Sequence, residues 1–208
     1  MLFRSHITSE LGTDLTMDLV EGHIWCSAGE MGAQNVNAPY VANMPTEEVF
    51  TDPDFRSVNG IAYASFPLFM SGKLVTDFWI RFENGKAVDC GAPNNVDFLR
   101  EALFRDETTR QLGEVALVSK KSPIRQMGRI FYNGLIDENA ACHLALGRPY
   151  PENLKGGIDM SKEELKQHGA NDSMQHEDFM FGTRQMNIDG IKEDGTVVPV
   201  FRNGNFVF

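Results

Sequence analysis

Cysteine is scarce in this chain and poorly spaced for structural use. The 208 residues contain three, Cys26, Cys90 and Cys142. The number is odd and no C-x-x-C pair occurs, so neither a disulfide framework nor a zinc knuckle is indicated, and a reducing, cytoplasmic setting is expected. Basic residues are also in deficit. Nineteen Lys and Arg against 29 Asp and Glu leave a net charge of -10, with a pI near 4.9. That balance argues against nucleic acid as a partner and suits cations. Nowhere do eighteen apolar residues run together, and the opening MLFRSHITSELG has no apolar signal region. Neither a membrane span nor an export signal is expected. Several catalytic signatures are missing too: G-x-S-x-G, G-x-x-x-x-G-K, G-x-G-x-x-G after a strand, and H-E-x-x-H.

The residues that are present indicate an α+β chain of one domain, with a large, mixed, mostly antiparallel sheet and a few packed helices. Short β-branched or aromatic segments (HIT, LTMDLV, HIWCS) occupy residues 6–25 between glycines. Residues 29–50, rich in Gly, Asn and Pro, read as a long ordered loop. Further strands follow from 61 to 88, with turn signals at Ser71-Gly72 and Asn84-Gly85. Residues 96–104 have helical periodicity, LGEVALV and GRIFY read as strands, and SKEELKQHG is a capped helix with a capping box from Ser161 to Glu164. MQHEDFMFG, MNIDGI, TVVPVF and NFVF close the chain as strands, with turns at Asp194-Gly195 and Asn203-Gly204.

The densest chemistry lies in residues 135–150, LIDENAACHLALGRPY. The Ala- and Leu-rich run predicts a short apolar helix capped by Asp137 and stopped at Gly147, which carries Glu138 and His143 and leads to Tyr150. Cys142 beside His143 is no dyad on such a helix, since neighbours point about 100° apart. Elsewhere, His176 and Asp178 share one face of a strand, Glu114 has apolar neighbours on both sides, and Glu48 follows Thr46 in PTEEVF. Each residue also has an ordinary explanation. Thr46 could cap a helix whose first turn favours acids, Glu114 could be the last exposed residue before a strand, Glu138 could face a helix dipole, and His143 could be a satisfied core histidine. The His176/Asp178 pair could face water on an edge strand, and Tyr150 could be a packed aromatic.

Taken in order, NMPTEEVFT, LGEVALV, DENAACHLALG, Tyr150 and HEDFMFG resemble the thermophilic-type metalloaminopeptidases of the M29 family. GTDLTMDLVEGHIW and IDGIKEDGTVVPVFRNG extend the resemblance over nearly the whole chain. The resemblance implies a binuclear divalent-metal site, with Zn²⁺, Co²⁺ or Mn²⁺ held by Glu48, Glu114, His143, His176 and Asp178. It places Glu138 as a metal-proximal ligand and Tyr150 as a hydrogen-bonding or coordinating group. Glu114 or Glu138 is then the candidate proton acceptor for an attacking water, and peptides with a free N-terminus are the implied substrates. The resemblance also implies a homodimer, and a further N-terminal domain in other members, so that residues 1–208 correspond to the C-terminal catalytic, metal-binding domain. The alternative is a catalytically silent metal-binding or dimerisation module. Carboxylate and imidazole ligands without cysteine suit a catalytic rather than a structural metal.

Overall fold

Alternating burial runs through much of the chain, as a strand with one face packed and one face open imposes. The computed structural model describes residues 4–27, 29–31, 39–41 and 44–208. Strands β1 (Arg4–Thr8), β2 (Asp14–Asp18), β3 (Gly29–Met31), β4 (Pro39–Val41), β5 (Glu48–Thr51), β6 (Asn59–Tyr63), β7 (Leu68–Met70) and β8 (Lys73–Val75) form its first part. Next come β9 (Trp79–Glu83), β10 (Lys86–Gly91), β11 (Leu112–Val118), β12 (His143–Gly147), β13 (His176–Met180), β14 (Asn187–Ile191), β15 (Val197–Arg202) and β16 (Asn205–Phe206). The helices are α1 (Val96–Leu103), α2 (Pro123–Gln126), α3 (Gly134–Asp137) and α4 (Lys162–Gln167).

The strands divide between an eight-stranded sheet, ordered β10-β9-β6-β2-β1-β14-β15-β16, and a four-stranded sheet, ordered β13-β12-β11-β5. β3-β4 and β7-β8 are separate ribbons. Every pairing among the described residues is antiparallel, in keeping with the expectation of a mostly antiparallel sheet. One apolar cluster joins the two sheets. Ile7, Leu15, Met17, Ile80 and Phe82 come from the large sheet, and Val115, Leu117, Leu144, Leu146 and Phe179 from the small one. Each such side chain, fully buried, contributes roughly 1.5–3 kcal/mol. α1 adds Leu99 and Leu103 to the same core.

The expected turns form where Asn-Gly or Ser-Gly supplies two left-handed residues: Ser71 and Gly72, Asn84 and Gly85, Asn203 and Gly204 all have positive φ. The capping box of α4 is present, with the Ser161 hydroxyl accepting from the Glu164 N–H and the Glu164 carboxylate accepting from the Ser161 N–H.

Other expectations are corrected. The helix predicted across 137–145 does not form: α3 ends at Asp137, residues Glu138–Ala140 make one 3₁₀ turn, and His143–Gly147 is strand β12. Ala and Leu favour helices, but β12 lies between β11 and β13 with all five residues buried, and pairing on both edges overrides that propensity. Asp137 stands at the N-cap position of the 3₁₀ turn, but its side chain makes no capping hydrogen bond there. It is the last residue of α3, and its carboxylate accepts from the N–H groups of Phe131 and Asn133, so GRIFY folds as an irregular loop rather than a strand. Thr46 caps no helix, since Glu48 opens β5. HIWCS makes only isolated bridges, at His23 and Cys26. Part of the stretch read as a loop forms β3, β4 and β5, while residues 28, 32–38 and 42–43 lie outside those described. Among the described residues, no helix is long and apolar enough to cross a membrane.

Candidate metal centre

The four-stranded sheet has one face in the core and one facing away from it, and period two sorts its residues between them. On β12, Cys142 (just before the strand), Leu144 and Leu146 enter the core, which leaves His143 and Ala145 on the opposite face. In the ladders, Glu114 pairs with Ala145 and Ala145 with Asp178, so two carboxylates flank a small residue. One step along, Ala116 pairs with His143, and beyond that Glu48 pairs with Val118. His176 pairs with Gly147. Ala145 and Ala116 put only methyl groups on this face among the acids and imidazoles.

The polar atoms converge. His143 Nε2 lies 2.9 Å from Glu48 Oε2 and 3.3 Å from Glu114 Oε1. His176 Nε2 lies 3.7 Å from Glu114 Oε2 and 3.3 Å from Asp178 Oδ1. Glu114 therefore straddles the site, with one oxygen toward each imidazole. Ligand atoms of Glu48, Glu114 and His143 all fall within 4.8 Å of one another. Glu114 is only 4% exposed, so the reading of an exposed strand end does not describe it, and His143, 1% exposed, is buried beside two carboxylates.

Both imidazoles are oriented from behind. His143 Nδ1 is 3.2 Å from the carbonyl of Ala141, and His176 Nδ1 is 2.7 Å from that of Arg148. A carbonyl can only accept, so Nδ1 carries the proton, and in the neutral ring each Nε2 presents a lone pair to the carboxylates. Glu48 Oε2 and Asp178 Oδ1 are buried, and the groups that approach them are the Nε2 atoms of His143 and His176. Acceptors facing acceptors need a cation or extra protons between them.

The pKa shifts of these groups have the same origin. Burial pushes Glu138 up to about 8, reinforced by Asp178 and Glu48. Burial also raises Glu114, against the opposing pull of His143. For His143 burial works downward, but Glu114 and Glu48 outweigh it and hold the ring well above its usual pKa. His176 likewise rises to about 9, as Asp178 overcomes desolvation. Tyr150 is pushed up to about 12 by burial and by the carboxylates, so its phenol remains a donor. Its ring packs edge-on against His176, with centroids 5.1 Å apart.

The sequence profile of the family described as thermophilic metalloprotease (M29) matches residues 3–206. The chain belongs to the M29 family. Similar relatives include aminopeptidase AmpS of Bacillus subtilis (strain 168), 48% identical over 95% of this chain and 48% of its own length. Aminopeptidase T of Thermus aquaticus is 46% identical over 94% of this chain and 47% of its own. The structure of wild-type AmpT from Thermus thermophilus superposes with a TM-score of 0.90 at 42% identity, covering 99% of this chain and 50% of that one. The M29 chain thus spans about half the length of the curated relatives it matches. A dioxygenase structure from Pseudomonas putida KT2440, with TM-score 0.59 and 15% identity, shares the fold alone.

In this M29 chain, Glu48, Glu114, His143, His176 and Asp178 come together from four strands, with Tyr150 against His176. Glu138, on the 3₁₀ turn, is buried and lies within electrostatic reach of Asp178, Glu48 and His143. Two supporting residues escaped sequence reasoning. Asn139 is fully buried; its Oδ1 accepts from the N–H of Glu47, beside Glu48, and its Nδ2 donates to Leu135 O. Asp52 is fully buried as well. Extending the alternation Glu48, Phe50, Asp52 past the strand end would have found it, but Asp-Pro reads first as a turn.

Proposed function

We propose that this chain carries the metal centre of an M29 aminopeptidase and cleaves the N-terminal peptide bond of peptides at a site for two divalent ions. The observation that carries the reading is the straddling Glu114, one oxygen toward each of two imidazoles whose Nδ1 protons are already committed to carbonyls. Four buried or half-buried carboxylates, Glu48, Glu114, Glu138 and Asp178, match the charge of two divalent ions.

In this reading Glu48, Glu114, His143, His176 and Asp178 would hold the two ions. Hard oxygens with imidazole suit Zn²⁺, Co²⁺ or Mn²⁺. Two such ions supply Lewis-acid polarisation of the scissile carbonyl and an acidified water. Glu138, whose carboxyl is not bound between the imidazoles, would take a proton and return it to the leaving amine. The Tyr150 phenol, 40% exposed at the rim, donates to the carbonyl oxygen of the substrate as charge develops there. The acidic surroundings attract a free α-ammonium, which favours cleavage at the N-terminus.

The test combines metal analysis with hydrolysis of an aminoacyl p-nitroanilide in Zn²⁺, Co²⁺ and Mn²⁺. Two bound equivalents with chromophore release are expected. Two equivalents without turnover in any metal would leave a silent metal-binding module, and failure to bind metal would remove the centre altogether.

A further inference from the structure

Asp52 takes no part in the chemistry proposed above, yet it lies against the site. It directly follows β5, and the alternation Glu48, Phe50, Asp52 continues the face that carries the ligands. Thr51 pairs with Val115, so Asp52 is the next position along, beside Glu114. A fully buried acid is costly unless its oxygens are used. One oxygen is used: the backbone N–H of Tyr150 donates to Asp52 Oδ1 at 3.3 Å.

The sequence around Tyr150 explains why this contact counts. Tyr150 stands between Pro149 and Pro151, neither of which has an N–H. Between Arg148, whose N–H donates to Gln175 O, and Glu152, the Tyr150 amide is therefore the only backbone donor that can anchor the segment. The far side is tied to the same strand: Asn153 Nδ2 donates to Phe50 O at 3.0 Å, and the Asn153 N–H donates to Tyr150 O. The Tyr150 ring is left wedged between Phe50, at 5.7 Å, and His176, at 5.1 Å.

We propose that Asp52 is a positioning residue, whose Oδ1 fixes the Tyr150 backbone and so holds the phenol against His176 at the rim of the metal centre. The proposal rests on the reading that Tyr150 serves the proposed aminopeptidase. Asp52 acts through Tyr150 and touches neither substrate nor ion.

The experiment compares wild type, Asp52→Ala and Asp52→Asn in the 208-residue protein. Backbone amide exchange at Tyr150 is followed by NMR, alongside metal content and steady-state kinetics on an aminoacyl p-nitroanilide. Asp52→Ala is expected to speed exchange at Tyr150 by roughly tenfold or more, and to lower kcat about 10- to 100-fold as the phenol drifts. KM should change little and metal content not at all. Asp52→Asn keeps an acceptor oxygen and should restore both readouts to within about threefold of wild type. In a Tyr150→Phe background, Asp52→Ala should add less than its effect alone, because the two residues act as a unit. If Asp52→Ala does not fold, Asp52→Leu fills the same space without an acceptor and takes its place. Wild-type exchange at Tyr150 in the Ala or Leu variant would overturn the proposal, as would a kcat loss that follows loss of metal. An inactive wild type would remove the functional reading, while amide exchange would still decide whether the clamp exists.

Discussion

Gly147 offers a test of how tightly backbone geometry is coupled to the centre. It ends β12 with φ +103, and a Cβ built there would lie 2.1 Å from the carbonyl oxygen of Gln175. Contacts under 3.0 Å are essentially never seen for real Cβ atoms, so Gly147→Ala forces the Gln175 carbonyl back by about 1 Å. That carbonyl accepts the Arg148 N–H at 2.6 Å, Arg148 O in turn accepts from His176 Nδ1, and Gln175 precedes His176 in the chain. The positive φ costs about 1–3 kcal/mol in a non-glycine residue, and a weakened buried hydrogen bond adds about 1 kcal/mol. At roughly 2–4 °C per kcal/mol for a chain of this size, the melting temperature should fall by about 5–15 °C. The damage should be one-sided: His176 and Asp178 shift, while Glu48 and His143 keep their partners. Calorimetric metal titration should find about one tight equivalent instead of two, and turnover should drop by roughly a hundredfold. A variant that melts with wild type and binds both equivalents would refute the chain of contacts from Gly147 to His176.

Three further outcomes follow from the same geometry. His143→Ala should abolish hydrolysis and weaken metal binding while circular dichroism remains native, since only the ligand-bearing face loses a group; retained activity would exclude it as a ligand. Against desolvation, Asp178 pushes His176 up to about 9, so at pH 7.5 the ring holds a proton that ligation must displace. Adding Zn²⁺ to weakly buffered protein should therefore release protons, and apparent affinity should fall as the pH drops from 8 to 6; constant affinity over that range would contradict this assignment. Ser161→Ala removes the capping box of an exposed helix and should cost about 1 kcal/mol in denaturant melts with activity unchanged.

The sequence was most legible where the chemistry is local. Asn84-Gly85, the capping box at Ser161 and the same-face pair His176/Asp178 depend on a few adjacent residues, and they formed as read. The resemblance to a known family brought Glu48, Glu114 and His143 to notice, although each had an ordinary explanation when taken alone. Secondary structure failed where long-range pairing decides it. Ala140, Ala141, Leu144 and Ala145 favour a helix in isolation, but they lie in and just before a strand with partners on both edges. Asp52 and Asn139 escaped notice because their roles are defined by backbone N–H groups distant in sequence, Tyr150 and Glu47.

The corrected placement of His143 changes the account of the site. On a helix, His143 and Cys142 would diverge by about 100°, and the ligand would share its face with residues three and four positions away. On a strand, successive residues serve opposite faces, so Cys142, Leu144 and Leu146 tie β12 into the core while His143 and Ala145 face the ligand cluster. The apolar core that holds β12 in register thus also sets the height of His143 relative to Glu114 and Asp178. A one-residue slip would send the imidazole into the core and a leucine toward four carboxylates, reversing every contact on both faces. The cost of that reversal explains how a segment of helix-favouring residues is held as a strand.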